Sequence, residues 1–159
     1  MLKYIKITAR GISMEVKFIK TDKNATVPQY GTDGAAGADL YALIPEGSVT
    51  IGAGETYIVH TGIAMQIPEG YGGLILARSG IATKRGLAPA NKVGLIDSDY
   101  RGEIMVPLHN HSNVPQEISS GERVAQIMIT PFLRADFTEC ETLEDTARDK
   151  GGFGSTGTK

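Results

Sequence analysis

The chain alternates apolar and polar residues with a two-residue period in many short runs. In "MEVKFIK" (14–20), Met14, Val16 and Phe18 fall on one face of an extended strand, and Glu15 and Lys17 fall on the other. Similar runs recur along the sequence at 56–60, 63–67, 73–77, 103–109 and 124–130. Turn-forming sequences separate these runs at 45–47, 53–54, 68–70 and 119–121. The pattern predicts an all-β fold of the sandwich or barrel-like type.

One short helix is predicted within this β pattern. Ser79 is suited to the N-cap position, "GIATKR" (80–85) forms the body, and Gly86 supplies a C-terminal stop. At 159 residues the chain has the size of one domain. We expect the β domain to cover 1–147, with 1–13 as a candidate N-terminal extension, and a glycine-rich arm to cover 148–159.

Charge and cysteine content narrow the classes of partner. The net charge of −2 at pH 7 provides no general basic field, so binding to nucleic acid through bulk electrostatics is not expected. A single cysteine, Cys140, excludes an intrachain disulfide and a cysteine-built zinc site, which fits a cytoplasmic protein, although a nucleus or organelle stays open. No apolar run is long enough to span a bilayer, and the N-terminal residues lack a signal-peptide core. We therefore expect neither membrane association nor export.

The glycines are more numerous than turns alone require. Several of the 20 lie beside charged or hydroxyl residues. Glycine lets backbone approach a ligand closely and lets N–H groups converge on one space. The sequence therefore suggests an anion-binding pocket built from five segments, "GAAGADLY" (34–41), "ARSGIA" (77–82), "KVGLIDSDYRGE" (92–103), "SSGERVAQ" (119–126) and "RDKGGFGSTGTK" (148–159).

A candidate base lies in the third segment. The range 94–102 is expected to form a β-hairpin with Ser98 and Asp99 near its tip, and Asp97 lies where the first strand ends. An aspartate there can deprotonate a water, or it can bond turn amides, and taken alone the second interpretation is the more common one. The role of Tyr100 is undecided in the same way, because an aromatic residue on a hairpin is usually a packing residue.

Candidate phosphate contacts lie in the second and fourth segments. Arg78 and Ser79, before the predicted helix, combine a guanidinium with backbone N–H groups. Arg123 and Gln126 can reach phosphate oxygens, but a Gly-Glu turn that enters a strand is also an ordinary hairpin feature. The histidines at 109 and 111 are interpreted as structural or surface residues, because no third metal ligand is near in sequence.

The C-terminal arm combines groups that suit a nucleotide. Its hydroxyls and Arg148 can bind phosphate, and the glycines around Phe153 leave that ring free to lie flat on a base. The spacing of Gly152, Gly154 and Gly157 matches the G-x-G-x-x-G dinucleotide fingerprint, but the helix and second strand that the fingerprint requires do not follow it. A lid that orders over a bound nucleotide is the alternative to a disordered terminus.

In this order, the five segments resemble the five motifs of the trimeric deoxyuridine triphosphatases (dUTP diphosphatases). The resemblance extends from about residue 15 to the C-terminus, and the ordered set is specific although each motif alone is not. One departure is the Arg148-Asp149 pair, where the family usually has Arg-Gly. The matching sequences are "AAGADLYA" (35–42), "ARSGIA" (77–82), "GLIDSDYRGEIMV" (94–106), "GERVAQIMI" (121–129) and "RDKGGFGSTG" (148–157).

The resemblance implies a β-clip or jelly-roll subunit of a homotrimer whose active sites are each shared by three chains. It implies hydrolysis of dUTP to dUMP and pyrophosphate by water attack on the α-phosphorus, which limits uracil incorporation into DNA and supplies dUMP for dTMP synthesis. Mg²⁺ is expected on the substrate phosphates and water, with no direct protein ligand and with Asp39 shaping its surroundings indirectly.

The resemblance also implies residue roles. Asp97 is expected to be the base, Tyr100 to lie beneath the deoxyribose, and Asn91, Gly94 and Ile96 to read the uracil edge. The residues expected to hold phosphates are Arg78, Ser79, Gly80 and Gln126. The residues expected to belong to the closing arm are Arg148, Phe153, Gly154, Ser155 and Thr156.

Two alternatives stay open on the sequence alone. A dCTP deaminase, including its bifunctional forms, would share the fold, but the phenylalanine-glycine arm favours the hydrolase. A non-catalytic nucleotide-binding regulatory protein is the alternative of another class, and the presence of Asp97 counts against it.

Overall fold

The computed structural model describes residues 5–8 and 11–149 of the chain, with side chains from residue 13 onward. In these residues strands dominate and a single short helix occurs. Their elements are, in chain order, β1 (Ile5–Thr8), β2 (Gly11–Met14), β3 (Lys17–Lys20), β4 (Gln29–Tyr30), β5 (Ala38–Tyr41), β6 (Ser48–Ile51), β7 (Thr56–Gln66), β8 (Tyr71–Leu76), α1 (Ser79–Arg85), β9 (Leu87–Pro89), β10 (Gly94–Ile96), β11 (Glu103–Asn110), β12 (Gln116–Ser119) and β13 (Arg123–Pro131).

Two antiparallel sheets form most of the molecule. One has the strand order β10-β8-β13-β5-β4 and the other has the order β3-β7-β11-β9. Two smaller sheets pair β12 with β6 and β1 with β2. The prediction of an all-β fold with one short helix is confirmed.

The hydrophobic core takes residues from both large sheets. In β11 every second residue is buried, because its side chains alternate between the core and the outer face. Each fully buried Ile, Leu or Val side chain contributes roughly 1.5–3 kcal/mol relative to an exposed one. Core residues include Leu40, Ile75, Val124 and Ile127 of the first sheet, and Val59, Leu87, Ile104, Val106 and Leu108 of the second.

The helix begins one residue differently from the prediction. Arg78 is the N-cap, with extended backbone angles (φ −89°, ψ 129°), and Ser79 is the first helical residue, so Ser79 as N-cap is wrong. The Arg78 backbone stays extended while its guanidinium is held by Asp39 of β5, two strands away from β8 in the sheet. Gly86 ends the helix as predicted, in the left-handed region at φ 69°, and its N–H donates to the Ala82 carbonyl.

The predicted hairpin over 94–102 is also wrong. β10 pairs with β8, whereas β11 pairs with β7 and β9, so the segment between β10 and β11 crosses from one sheet to the other. Asp97 does directly follow β10, and the Tyr100 N–H donates to its carbonyl at 3.2 Å in a tight turn. Local sequence predicted the turn correctly, but long-range packing chose the strand partners.

Three other predicted runs have different bounds in the structure. The stretches 56–60 and 63–67 are joined in β7, which continues to Gln66 through a bulge at Gly62. "MEVKFIK" is divided, since β2 ends at Met14 and β3 begins at Lys17.

Candidate active site

A polar cavity of about 280 Å³ lies where β5, β13 and the junction of β8 with α1 meet. We call it the Arg78 pocket. The strand register builds it, because Gln126 of β13 lies opposite Asp39 of β5 on one side and Leu76 of β8 on the other. The residues that line it are Gly31, Thr32, Ala35, Gly37, Asp39, Arg78, Ser79, Gly80, Arg123 and Gln126.

Asp39 holds two arginines at this pocket. The Arg78 Nε donates to its Oδ1 at 2.7 Å, and the Arg123 Nη1 donates to its Oδ2 at 3.2 Å. Asp39 is only 8% exposed, whereas the Arg123 side chain is half exposed. One carboxylate against two guanidiniums leaves a net positive charge, and each guanidinium has five N–H donors, so some donors remain for an anion.

Two glycines of the Arg78 pocket differ in what requires them. A Cβ at Gly37 would lie 2.8 Å from the Gln126 Oε1, so the close packing of Gln126 requires glycine at this position. The Gln126 amide also donates to the Ala77 carbonyl at 2.9 Å. Beyond its chain neighbours and the backbone of its own helix, a Cβ at Gly80 would meet no atom of the described residues within 4 Å, and the residue is not in the left-handed region. Its backbone therefore borders open space in the pocket.

A second cavity, of about 190 Å³, adjoins the turn after β10. We call it the Asp97 pocket. Asp97 is exposed there, and the Tyr100 hydroxyl donates to the Glu103 carbonyl at 2.9 Å. A Cβ at Gly102 would lie 2.4 Å from that hydroxyl, so glycine is needed for the tyrosine to adopt this position. The lining residues are Leu95, Ile96, Asp97, Tyr100, Glu103 and Met105.

Glu103 connects the start of β11 to the bulge of β7 through side-chain hydrogen bonds. Its Oε1 accepts the N–H groups of Gly62 at 2.7 Å and Thr61 at 3.1 Å, and its Oε2 lies 3.0 Å from the His60 Nδ1. Burial acts to raise the pKa of the Glu103 carboxyl. The hydrogen bonds from His60, Gly62 and Thr61, with the charge of His60, outweigh burial and hold that pKa below its ordinary value.

The two pockets of one chain lie far apart. Ile96 pairs with Gly73 of β8, so Asp97 lies beside the beginning of β8, while Arg78 follows its end. β8 ends at Leu76 and Arg78 also has extended backbone angles. At about 3.3 Å per residue, the six steps from Gly72 to Arg78 separate the backbone at the two sites by roughly 20 Å.

The structure places the predicted residues in two groups. Gly94 begins β10 and Asn91 lies in the turn before it, where a Cβ at Gly94 would be 3.2 Å from the Asn91 Nδ2; neither residue lines the two pockets. Arg148 is exposed near the end of the described residues, and Phe153, Gly154, Ser155 and Thr156 lie outside them. Arg78, Ser79, Gly80, Gln126 and Asp39 share the first pocket, and Ile96, Asp97 and Tyr100 share the second.

Sequence reasoning missed the loop before β5 and the part played by Glu103. Gly31 and Thr32 line the Arg78 pocket, and the signal for them was a hydroxyl beside a glycine just before the first motif. Glu103 gave no local signal, because its partners lie about 40 residues away in sequence.

The structure also describes the histidines, the metal-ligand types and Asp149. The His109 Nδ1 lies 2.8 Å from the Thr56 Oγ1, which supports a structural role. Within 13–149, no three His, Cys, Asp or Glu side chains are grouped to hold a metal ion.

Asp149 has φ 42°, a left-handed conformation that favours glycine, which is the residue usual in the resembled family. The one helix of the described residues is too short to cross a membrane.

An all-β domain with paired guanidiniums in one cavity and an exposed carboxylate in another is equipped to act on an anionic ligand. The dUTPase family model matches residues 23–157. The chain is 44% identical over 147 residues to a deoxyuridine 5'-triphosphate nucleotidohydrolase of Desulfitobacterium hafniense, with 92% of this chain and 97% of the relative covered. It is 46% identical over 145 residues to that of Thiobacillus denitrificans, with 91% and 99% covered. The chain therefore belongs to the dUTPase family.

Solved structures agree with this assignment. A variant of the Staphylococcus bacteriophage 80alpha dUTPase with dUpNHpp superimposes with a TM-score of 0.82 at 26% identity, covering 90% of this chain and 98% of that one. A variant of the dUTPase from phage phi11 of S. aureus, which coordinates a structural Mg(II) ion, shares the fold with a TM-score of 0.74 at 23% identity, covering 82% and 99%.

Proposed function

We propose that the two pockets described above, brought together from different subunits, hydrolyse dUTP to dUMP and pyrophosphate by attack of water on the α-phosphorus. Family membership establishes the activity of a dUTP diphosphatase. The roles of individual residues and the assembly are the proposal. The observation that carries it is the separation of the cationic pocket from the carboxylate pocket within one chain.

The Arg78 pocket supplies the phosphate site. Asp39 presents the Arg78 and Arg123 guanidiniums in a fixed arrangement before any ligand arrives. Ser79, Gly80 and Gln126 line the same cavity, and backbone N–H groups at the start of the helix are available to bind phosphate oxygens. Phosphoryl transfer depends on positioning and charge neutralisation more than on covalent chemistry by the protein. A prearranged cationic pocket provides both.

The Asp97 pocket supplies the base and the nucleoside site. Asp97 is exposed at the end of β10, where its carboxylate can take a proton from the attacking water. Tyr100 is held by its hydroxyl bond to Glu103, so its ring can lie beneath the deoxyribose and fill the space that a 2′-hydroxyl needs.

Uracil is read by the edge of β10. This strand ends the five-stranded sheet, so part of its backbone N–H and C=O groups point away from β8. Cytosine presents a donor where uracil presents an acceptor, and a buried mismatch of that kind costs about 1–3 kcal/mol. The methyl group of thymine is excluded by volume. Asn91 can add a side-chain contact beside Gly94.

The distance between the pockets requires a neighbouring subunit. Side chains whose backbone positions are roughly 20 Å apart along a strand are too distant to contact the same α-phosphorus and its adjoining phosphates. A homotrimer in which the Asp97 pocket of one subunit faces the Arg78 pocket of the next resolves this separation. The arm of residues 148–159, with Arg148 and Phe153, then closes over the site from the third subunit.

Mg²⁺ fits this site as an ion that enters with the substrate. Both Asp39 oxygens already accept guanidinium hydrogen bonds, so that residue acts on the ion indirectly. Mg²⁺ keeps several waters and is commonly held by substrate phosphates with few protein ligands. When bound, it neutralises charge on the triphosphate.

A pyrophosphate-release assay with dUTP, dTTP, dCTP and UTP, with and without Mg²⁺, tests the proposed function. We expect release from dUTP far above the other three, and a strong dependence on Mg²⁺. Formation of a uridine nucleotide from dCTP would instead support the deaminase. Binding of dUTP without turnover would support the regulatory protein.

A further inference from the structure

We propose that Arg85 is a positioning residue that keeps the two walls of the Arg78 pocket at a fixed spacing, acting through Glu122. The inference rests on the proposed function, because it takes the Arg78 pocket to be the phosphate site. It concerns a residue outside that pocket, at the opposite end of α1.

Arg85 binds the far end of the helix to the segment 116–122. Its Nε donates to the Gln116 Oε1 at 3.2 Å, its Nη1 donates to the Glu122 Oε1, and its Nη2 donates to the Glu117 carbonyl. The Arg85 and Glu122 side chains are 29% and 31% exposed, so water screens the pair less than it screens a fully exposed pair. The other Glu122 oxygen accepts the Ser119 N–H at 3.2 Å.

The N-terminal end of α1 is bound to Arg123, the residue that directly follows the segment 116–122. The Arg78 Nη1 donates to the Arg123 carbonyl at 3.2 Å, and both arginines contact Asp39. The Ala42 N–H donates to the Glu122 carbonyl at 2.8 Å and anchors this segment beside β5. A helix of seven residues is therefore attached at both ends to one short stretch of chain.

This double attachment fixes the helix start relative to Arg123. Ser79, Gly80 and Arg123 all line the Arg78 pocket, so their spacing sets its width. Small misplacements of positioning groups are costly, because binding energy depends on donors that are already in place. Without Arg85 the buried Ile81 and the Gly86 cap still hold the helix on the core, so the helix should stay folded and rock about Ile81.

The test compares Arg85→Ala with Lys84→Ala in the full-length enzyme. Lys84 lies in the same last turn, carries the same charge and is exposed, so its variant is a matched control. Inhibition constants are measured for pyrophosphate, which reports the phosphate site, and for deoxyuridine, which reports the nucleoside site. We expect Arg85→Ala to weaken pyrophosphate binding and raise KM about tenfold, because the donors of the phosphate site are then less well placed.

Deoxyuridine binding should be unchanged in Arg85→Ala, and Lys84→Ala should match the parent in every constant. Equal pyrophosphate constants in the two variants would overturn the inference, as would equal weakening of pyrophosphate and deoxyuridine, which indicates general destabilisation. The proposed function fails separately, if Arg78→Ala leaves pyrophosphate inhibition intact.

Two further variants distinguish loss of the Arg85 contact from general misfolding. Arg85→Lys keeps the charge but not the three-way contact, and its effect should lie between those of the parent and Arg85→Ala. Glu122→Gln combined with Arg85→Ala should change KM by less than the product of the two single effects, because both remove the same contact. Fully independent effects would contradict the coupling.

Discussion

The Asp39 carboxylate holds two arginines at the Arg78 pocket. It lies almost fully buried between Arg78 and Arg123, and each of its oxygens accepts one guanidinium hydrogen bond. Removing the charge of a buried carboxylate that has charged partners on both sides destabilises the cluster, because the arginines are then left without a counter-charge.

Asp39→Asn should therefore weaken substrate binding although the residue need not touch substrate. We expect KM for dUTP to rise about tenfold, since hydrogen bonds to charged groups contribute about 1.5–3 kcal/mol. Steady-state kinetics measure this change, with Asp33→Asn on the exposed loop before β5 as the control. A KM equal to that of the control would show that the arginines hold their positions without the Asp39 charge.

Asp97→Asn tests the base directly. The amide keeps the shape of the side chain but cannot take a proton from water, so kcat should fall about 10²–10⁴-fold. Binding of a non-hydrolysable dUTP analogue, measured by titration calorimetry, should stay near the parent value. Asp99→Asn, in the same turn, serves as the control. Near-normal turnover in Asp97→Asn would refute the assignment.

At the level of elements, the strand bulge at Gly62 supports the Asp97 pocket. Gly62 has φ 67°, and a Cβ there would lie 2.7 Å from the Ala25 Cβ and 2.8 Å from the Leu43 Cδ2. The Glu103 carboxylate binds the N–H groups of this bulge, and the Glu103 carbonyl accepts the Tyr100 hydroxyl. The bulge of one strand therefore helps to fix the tyrosine of a neighbouring turn.

The Glu103 contacts give this region an acid-sensitive contribution to stability. Because the folded-state pKa of Glu103 lies below its ordinary value of 4.5, the contribution is complete above that pH. It is lost as the pH falls below 4.5 and through the folded-state pKa. The Tm difference between the parent and Glu103→Gln should shrink as the pH falls below 4.5. Glu46→Gln, on an exposed turn, should show no such change, and a pH-independent difference for Glu103→Gln would count against the interpretation.

At the level of the whole molecule, sharing of sites between subunits can be tested by mixing two inactive variants. Arg78→Ala retains a functional Asp97, and Asp97→Asn retains a functional Arg78. If each site takes these residues from different subunits, random mixing on joint refolding restores about a quarter of the sites. Pyrophosphate release from the mixture, compared with each variant refolded alone, measures the recovery. Absence of recovery in mixed trimers, verified by differently tagged chains, would place both residues of a site in one chain.

The role of the C-terminal arm also concerns the whole assembly, because the arm is expected to close over a site on other subunits. Deletion after Asp149 should leave the β domain folded and the oligomer intact, since the buried core lies within 25–127. Turnover should fall by about two orders of magnitude if the arm excludes water and orders the triphosphate. Size-exclusion chromatography and kinetics measure the two effects. Full activity of the shortened chain would show that the arm is dispensable.

Much of this molecule was predictable from local pattern. Strand alternation is a local property of extended backbone, so the runs that became β8, β11 and β13 were found close to their true bounds. The glycine stop at Gly86 and the aspartate at the end of β10 were likewise found, because caps and turns depend on a few adjacent residues. The hairpin over 94–102 was not, since the buried faces of β10 and β11 belong to different sheets.

The amino-acid sequence by itself determined the all-β class, the short helix and the residue types available for chemistry, because periodicity, turn chemistry and side-chain charge are local. Only the tertiary structure decided that Asp39 joins Arg78 and Arg123, that Glu103 clasps the bulge at Gly62, and that Asp97 lies in a separate pocket. Those relations depend on which strands pair across the sheets. That choice follows from packing of the whole core, which no single segment encodes.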